Sequence, residues 1–119
     1  MRTEKLEGIM LDYWIAKAKE YTLEPYLSGY RMRDKEGDVV GFVGPLGVTT
    51  LCNYSPSTNW SQGGPILEDN AITVTPISDA EWMAEEHITL CNARGFSYLI
   101  SGMRCYLVSK YGEELPELI

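Results

Sequence analysis

The residues best equipped for chemistry lie between Tyr54 and Pro65. This 54–65 segment combines two aromatic rings, four aliphatic hydroxyls, two amides and two glycines, and it carries no charge. Aromatic rings can stack on a planar ligand, hydroxyls and amides can bind its polar edge, and glycine amides can approach an anion closely. These groups suit a small nucleotide-like molecule. The predicted ligand-binding residues are Tyr54, Ser55, Ser57, Thr58, Asn59, Trp60, Gln62, Gly63, Gly64 and Arg104.

Arg104 is the charged member of this set, and it lies in a different part of the chain. We expect it on the face of the last helix opposite Met103 and Leu107, from which it would reach the 54–65 segment and supply a positive charge. The alternatives are a surface arginine or a structural arginine that binds loop carbonyls.

The 54–65 segment is predicted to be an ordered, irregular loop. Pro56 and Pro65 each fix φ and remove a hydrogen-bond donor, while the Gly63-Gly64 pair permits positive φ. The same composition suits a structural loop of the Ω type, in which the hydroxyls bond to their own backbone and no ligand is involved. Both interpretations of the segment stay open on the sequence alone.

Signals for catalysis are weak throughout the chain. His87 is the only histidine, and it follows Glu85 and Glu86 in what resembles a solvated polar turn, so no pair of nucleophile and base is predicted. Asp79 and Glu81 could share one face of a strand, but such a pair is more typical of a solvated surface. We therefore predict no catalytic residue.

The cysteines do not indicate a metal site. Cys52, Cys91 and Cys105 are widely spaced, and neither they nor the combination of His87 with Cys91 has a recognised zinc spacing. Their odd number favours reduced thiols in a cytosol, and we expect them buried or half-buried. Gly63-Gly64 lacks the lysine that follows the glycines of a P-loop. No metal or cofactor is predicted.

Length and charge limit the classes of function. A chain of 119 residues suits a single domain over residues 1–119, and its hydrophobic content of 45% is that of a folded protein. The net charge of −7 disfavours broad binding to nucleic acid, which depends on lysine and arginine. A charged N-terminus and the lack of a long apolar run predict no secretory signal, no membrane association and a cytoplasmic location.

An α+β fold is predicted, with two amphipathic helices packed on one small antiparallel sheet. The first helix would run over residues 3–20 with Thr3 as its N-cap, and Trp14 would be a core residue. The last helix would run from Ser97, its N-cap, to Gly112. Gly102 within it predicts close packing against another backbone.

Runs rich in β-branched and aromatic residues predict the strands. Residues 34–38 would connect the first two runs as a hairpin, and Asp69-Asn70 would turn a short hairpin that pairs Ile66-Leu67 with the fourth run. The region 78–94 is placed on the same sheet. The predicted strand runs are residues 26–33, 39–43, 48–52 and 71–77.

Three stretches of the chain resemble a known family. The first covers residues 6–18, where a leucine is followed by a glycine two positions later and then by Leu-Asp and Ala-Lys. The second covers residues 54–66. The third comprises Met103-Arg104-Cys105-Tyr106 and Ser109-Lys110-Tyr111-Gly112. In this order they are similar to the NinX-like family of small proteins from tailed bacteriophages and prophages.

The resemblance implies a phage accessory protein made in the bacterial cytoplasm, in a family without an assigned activity. Our first hypothesis is a binding protein that sequesters a nucleotide-derived ligand, such as a host-defence signal, through the 54–65 segment. The second is an acidic protein that inhibits a host nuclease or DNA-binding protein by occupying its basic site. A nucleotide-acting enzyme is the least favoured hypothesis.

The aromatic content also predicts the oligomeric state. Eight tyrosines and three tryptophans are more large amphipathic side chains than two helices and a small sheet can easily bury. Because such residues are enriched at interfaces, we expect a homodimer.

Overall fold

A computed structural model describes residues 2–116, which contain three α-helices and six β-strands. The helices are α1 (Gly8–Ala18), α2 (Trp60–Asp69) and α3 (Tyr98–Tyr111), with single 3-10 turns at Thr3–Lys5 and Val48–Thr50. The strands are β1 (Thr22–Tyr26), β2 (Gly29–Arg33), β3 (Val39–Val43), β4 (Ile72–Ser78), β5 (Glu81–Glu86) and β6 (Asn92–Gly95). They form two antiparallel sheets, β1-β2-β3 and β4-β5-β6.

The α+β class is confirmed, with one helix and one sheet more than predicted. No helix within residues 2–116 is long and apolar enough to cross a membrane.

Helix α3 is the centre of the core. Ser97 caps it as predicted, because its Oγ accepts the Ile100 N–H at 3.1 Å. Every residue from 99 to 107 is buried, since α1, α2 and the β4-β5-β6 sheet all contact this helix. A Cβ on Gly102 would lie 2.4 Å from Cδ2 of Leu67 in α2. The predicted close packing at Gly102 is therefore found, against a side chain rather than a backbone.

The start of the chain differs from the single helix predicted for residues 3–20. A 3-10 turn comes first, and Gly8, with a φ of 63°, then begins α1. Thr3 does not cap a helix by its side chain. Its Oγ1 instead donates to the Gly112 carbonyl at 2.7 Å, which binds the N-terminal segment to the end of α3.

Trp14 on α1 is a core residue, as predicted. Its side chain is buried, and its ring lies edge-on to Tyr111 of α3 with centroids 5.4 Å apart. This contact joins α1 to the last turn of α3.

The β1-β2-β3 sheet contains the predicted hairpin, β2 with β3, and a strand that the sequence analysis missed, β1. The Glu24 carboxylate on β1 binds the Nε atoms of Arg31 and Arg33 on β2 at 2.6 and 2.7 Å. On the opposite face, Met32 and Val43 are buried. The main contact of this sheet with another element is made by β3 to the 3-10 turn Val48–Thr50.

The strand predicted for residues 48–52 is a 3-10 turn followed by a single β-bridge between Cys52 and Phe42. Thr50 explains the turn. Its Oγ1 accepts the Gly44 N–H at 2.8 Å and donates to the Gly47 carbonyl at 2.5 Å. These side-chain bonds compete with the pairing of an extended strand.

The β4-β5-β6 sheet agrees with the predicted strand at residues 71–77 and with the placement of residues 78–94 on a sheet. The hairpin predicted for Ile66-Leu67 is wrong, because both residues are helical in α2. Their side chains are buried, and α2 contacts both α3 and β4. Most of a helix's stability comes from such packing, which here outweighs the helix-breaking tendency of Gly63, Gly64 and Pro65.

Candidate functional site

The 54–65 segment is only partly a loop. A turn comes first, in which the Thr58 and Asn59 N–H groups donate to the Ser55 carbonyl at 3.0 and 2.8 Å. Helix α2 then begins at Trp60. Asn59 is its N-cap and accepts both the N–H and the hydroxyl of Ser61 on Oδ1, at 2.9 and 2.7 Å. The prediction of an irregular loop throughout is therefore wrong for residues 60–65.

Two polar side chains predicted to bind a ligand, Gln62 and Thr58, bond to nearby backbone groups. Gln62 accepts the Ser55 N–H on Oε1 at 2.6 Å and donates from Nε2 to the Asn53 carbonyl at 3.0 Å. The Thr58 hydroxyl lies 3.4 Å from the Ser55 carbonyl. These contacts match the alternative interpretation of a loop that satisfies its own hydrogen bonds.

Tyr54 was predicted to stack on a ligand, but it is a core residue. Its side chain is 5% exposed, and its ring lies edge-on to Tyr21 at 5.6 Å. Burial raises the pKa of the Tyr54 hydroxyl well above its ordinary value. That hydroxyl has no hydrogen-bond partner among the residues that the structure describes. Tyr54 therefore anchors the segment and does not present a face to solvent.

The two glycines differ from each other. Gly63 is buried, and a Cβ there would lie 2.3 Å from the Pro56 carbonyl oxygen and 2.9 Å from Cδ2 of Leu99. Gly64 is half-buried, with the Trp60 ring 3.3 Å from a Cβ at that position. Gly63 was predicted to face an anion. Its lack of a side chain instead allows the turn at Pro56 to pack closely against α2.

Asp12 is a buried polar residue that the sequence analysis missed. It lies on the buried face of α1, and its Oδ1 accepts the N–H of the buried Ser57 at 2.8 Å. Burial raises the Asp12 pKa, and the bonds from Ser57 lower it by a smaller amount. A charged residue three positions before Ile15 on an apolar face was the signal available in the sequence.

We expect Asp12→Asn to leave stability at pH 7 unchanged or raised, and Asp12→Ala to lower it by about 1–3 kcal/mol. Asparagine keeps an oxygen for the Ser57 N–H without a charge to bury, whereas alanine leaves that donor unsatisfied. Because the folded pKa of Asp12 is raised, its contribution is fully present below about pH 4 and is lost as the pH rises through the folded value.

Urea unfolding from pH 4 to pH 8 measures this effect. The parent protein should lose stability relative to Asp12→Asn as the pH rises. Parallel pH profiles for the two proteins would contradict the assignment.

An exposed aromatic cleft lies where α2 and α3 begin. Trp60 is 57% exposed, and its ring lies 4.9 Å from that of Tyr98, which in turn contacts Trp82 at 5.4 Å. The cleft has a volume of about 290 Å³. Its lining residues are uncharged: Ser57, Thr58, Trp60, Ser97, Tyr98 and Leu99. We call it the Trp60 cleft.

Tyr98, Trp82 and Ser97 were not predicted to belong to a site. A signal was present in the sequence, because Trp60 follows the cap residue Asn59 just as Tyr98 follows the cap residue Ser97. Two helices that each begin with an aromatic residue can bring those rings together when their N-termini meet. Here they do.

Arg104 does not join the 54–65 segment. Its side chain is 9% exposed, Nε donates to the Leu6 carbonyl at 2.7 Å, and Nη1 donates to the Arg94 carbonyl at 3.0 Å. Burial lowers the Arg104 pKa. The prediction that Arg104 supplies charge to the segment is wrong, because these carbonyls orient the guanidinium toward a different cavity, lined also by Phe96.

The remaining candidates for chemistry are separated in space or already engaged. His87 Nε2 bonds to the Thr73 hydroxyl at 2.8 Å, and Glu81 pairs with Arg94 at 3.5 Å. Within residues 2–116, no three His, Cys, Asp or Glu side chains are grouped so that they could hold a metal ion. The three cysteines are free thiols, and Cys52 is exposed where burial was predicted.

Comparison with known families gives one match to nearly the whole chain. Residues 2–110 match the family model described as "Bacteriophage P22, NinX". The resemblance noted in the sequence is thereby confirmed. A comparison with curated proteins finds no match.

Proposed function

We propose a function for this chain from its family, since the chain belongs to the NinX family of bacteriophage P22. The protein is a phage accessory protein, and it sequesters a small nucleotide-like ligand in the Trp60 cleft. A host-defence signal of this chemical class would suit such a protein, acting in the cytoplasm of the bacterial host. Three of the predicted ligand-binding residues line this cleft: Ser57, Thr58 and Trp60. Ser97 and Tyr98 line it as well.

One observation carries this proposal: a tryptophan on the first turn of a capped helix is more than half exposed. A large apolar ring in that position loses favourable burial unless something covers it. Stacking of a nucleobase on an aromatic side chain contributes about 1–3 kcal/mol per base. Tyr98 restricts the Trp60 ring on one side, which lowers the entropy that binding would cost.

The polar surroundings of the Trp60 cleft suit the rest of such a ligand. The Thr58 and Ser97 side chains line the cleft. The Thr58 hydroxyl donates to the Ser55 carbonyl and can still accept a bond, while the Ser97 hydroxyl accepts the Ile100 N–H and can still donate one, to a base edge or a sugar. The N-termini of α2 and α3 both reach the cleft, and the partial positive charge of helix N-termini favours a phosphate there. The cleft volume of about 290 Å³ matches a mononucleotide better than a larger molecule.

The test is a panel of mononucleotides and cyclic dinucleotides in thermal unfolding, together with mass spectrometry of the denatured protein for a ligand that copurifies. A ligand at 100 times its dissociation constant should stabilise the fold by about 2.7 kcal/mol. An empty protein whose melting temperature moves with no member of the panel would overturn the proposal.

The alternative of an acidic inhibitor draws less support from the charge distribution. Exposed carboxylates occur on the β2–β3 turn, the end of α2, β5 and the segment after α3, so they are spread over the chain. Four others pair with basic side chains: Glu4, Glu20, Glu24 and Glu81. A salt-sensitive complex with a host nuclease in a pull-down would revive this function.

We also propose a homodimer. Tyr26 and Tyr30 are each at least 40% exposed, which leaves aromatic surface on the β1-β2-β3 sheet that a second copy could cover. Light scattering at tens of micromolar protein should give twice the chain mass of 13.4 kDa. A monomeric mass at that concentration would contradict the proposal.

A further inference from the structure

A second cavity, of about 380 Å³, lies between the first 3-10 turn, the β4-β5-β6 sheet and α3. We call it the Arg104 cavity. Three cationic side chains line it, Lys5, Arg94 and Arg104, although the chain as a whole has a net charge of −7. The two carboxylates that line it are already engaged, Glu4 with Arg2 and Glu81 with Arg94.

Arg104 is a buried cation without a directly paired carboxylate, although the nearby Glu7 and Glu4 carboxylates raise its pKa by less than burial lowers it. It takes part in none of the ion pairs formed within residues 2–116, and its bonds at Nε and Nη1 go to neutral carbonyls. Its Nη2 has no acceptor among those residues. A buried charge that lacks a counterion is costly, and an arginine fork is well suited to bind two oxygens of one anion.

Other residues that line the cavity can also contact an anion. Arg94 is held by Glu81 at 3.5 Å, and their side chains are 61% and 44% exposed, so that pair is weak and Arg94 is available to a stronger anion. Phe96 is 58% exposed, and its ring lies 5.9 Å from the Arg104 guanidinium. A phosphate alone does not fill about 380 Å³, which leaves room for a ring against Phe96.

We propose that the Arg104 cavity binds the phosphate group of a small phosphorylated molecule that carries a planar ring. Arg104, Arg94 and Lys5 surround the phosphate, and Phe96 contacts the ring. This site shares no residue with the Trp60 cleft, so the two proposals stand or fall separately.

The experiment is calorimetric titration of the Trp60→Ala protein, at low ionic strength, with inorganic phosphate and with phenyl phosphate. Using Trp60→Ala removes the other cleft from the measurement. We expect saturable binding of both anions, with phenyl phosphate tighter. Phe96→Leu should reduce the affinity for phenyl phosphate and leave that for inorganic phosphate unchanged, because leucine removes only the ring contact.

Three exposed cations allow a matched comparison, because two of them line the Arg104 cavity and one does not. Arg94→Gln and Lys5→Gln should each weaken phosphate binding by about 5- to 20-fold without a change in melting temperature. Lys110→Gln is the control, since it removes the same charge from an exposed site on α3, about 9 Å further along the helix axis than Arg104. The phosphate affinity of the Lys110→Gln protein should equal that of the parent.

Arg104 is tested by a conservative change. Arg104→Lys keeps the positive charge and loses the fork, so phosphate affinity should fall in a protein that still unfolds cooperatively. Absence of saturable phosphate binding would overturn the proposal. An equal loss in Arg94→Gln, Lys5→Gln and Lys110→Gln would also overturn it, because it would show a general charge effect in place of a defined site.

Discussion

Trp60→Ala is expected to remove nucleotide binding at the Trp60 cleft while leaving the fold nearly as stable as the parent. The Trp60 side chain is 57% exposed and contacts Tyr98, so truncation costs about 1 kcal/mol of folding free energy. The loss of a stacking contact should weaken the ligand from the nucleotide panel by roughly 5- to 150-fold. Thermal unfolding with and without ligand measures both quantities in one experiment.

Trp60→Phe and Gln62→Ala are the controls for this result. Phenylalanine keeps a ring in the cleft and should retain most of the affinity. Gln62→Ala should lower the melting temperature, because it removes bonds to the Ser55 N–H and the Asn53 carbonyl. If Trp60→Ala instead lost about 3–5 kcal/mol of stability, as a buried tryptophan does, and bound ligand like the parent, the Trp60 cleft would be structural.

Gly63→Ala is expected to be a strongly damaging small substitution, with a loss of about 3 kcal/mol. The new Cβ would lie 2.3 Å from the Pro56 carbonyl oxygen, which is backbone and cannot rotate away. The shift needed would reach the turn that places Trp60 and the N-cap of α2. Urea unfolding monitored by tryptophan fluorescence measures the loss.

Gly64→Ala is the matched control, one position further along the same helix. Its Cβ would lie 3.3 Å from the ring of Trp60, an exposed side chain that can move. Alanine also favours a helix over glycine by about 0.5–1 kcal/mol. We therefore expect little change or a small gain. Equal losses in Gly63→Ala and Gly64→Ala would mean that the contact with Pro56 does not decide the effect.

The elements that carry their own signals were predicted well. Helix α3 has a cap residue at Ser97, a terminal Gly112 and apolar residues at helical spacing, and all of these local preferences agree with the fold. The β2–β3 hairpin likewise has two β-prone runs around a polar turn. In such segments local preference and tertiary packing favour the same structure.

The missed elements depend on contacts between distant residues. Helix α2 contains two glycines and a proline, so its local preference opposes a helix, and burial of Ile66 and Leu67 decides its conformation. The direction of the Arg104 side chain depends on the carbonyls of Leu6 and Arg94, which are remote in sequence. The candidate site was predicted only in part, because it too depends on contacts between residues that are distant in sequence. Trp60 was among the predicted site residues, but its partner Tyr98 comes from another helix.

The way the β1-β2-β3 sheet is attached has a consequence for how the molecule opens. Its main link to another element is through β3, while the β4-β5-β6 sheet and all three helices form the body around α3. Regions with few contacts open locally at a lower free-energy cost than the global transition. Backbone amides of β1 and β2 should therefore exchange with deuterium through excursions that leave α3 protected. The Trp60 cleft and the Arg104 cavity, both bordered by α3, would persist during those excursions.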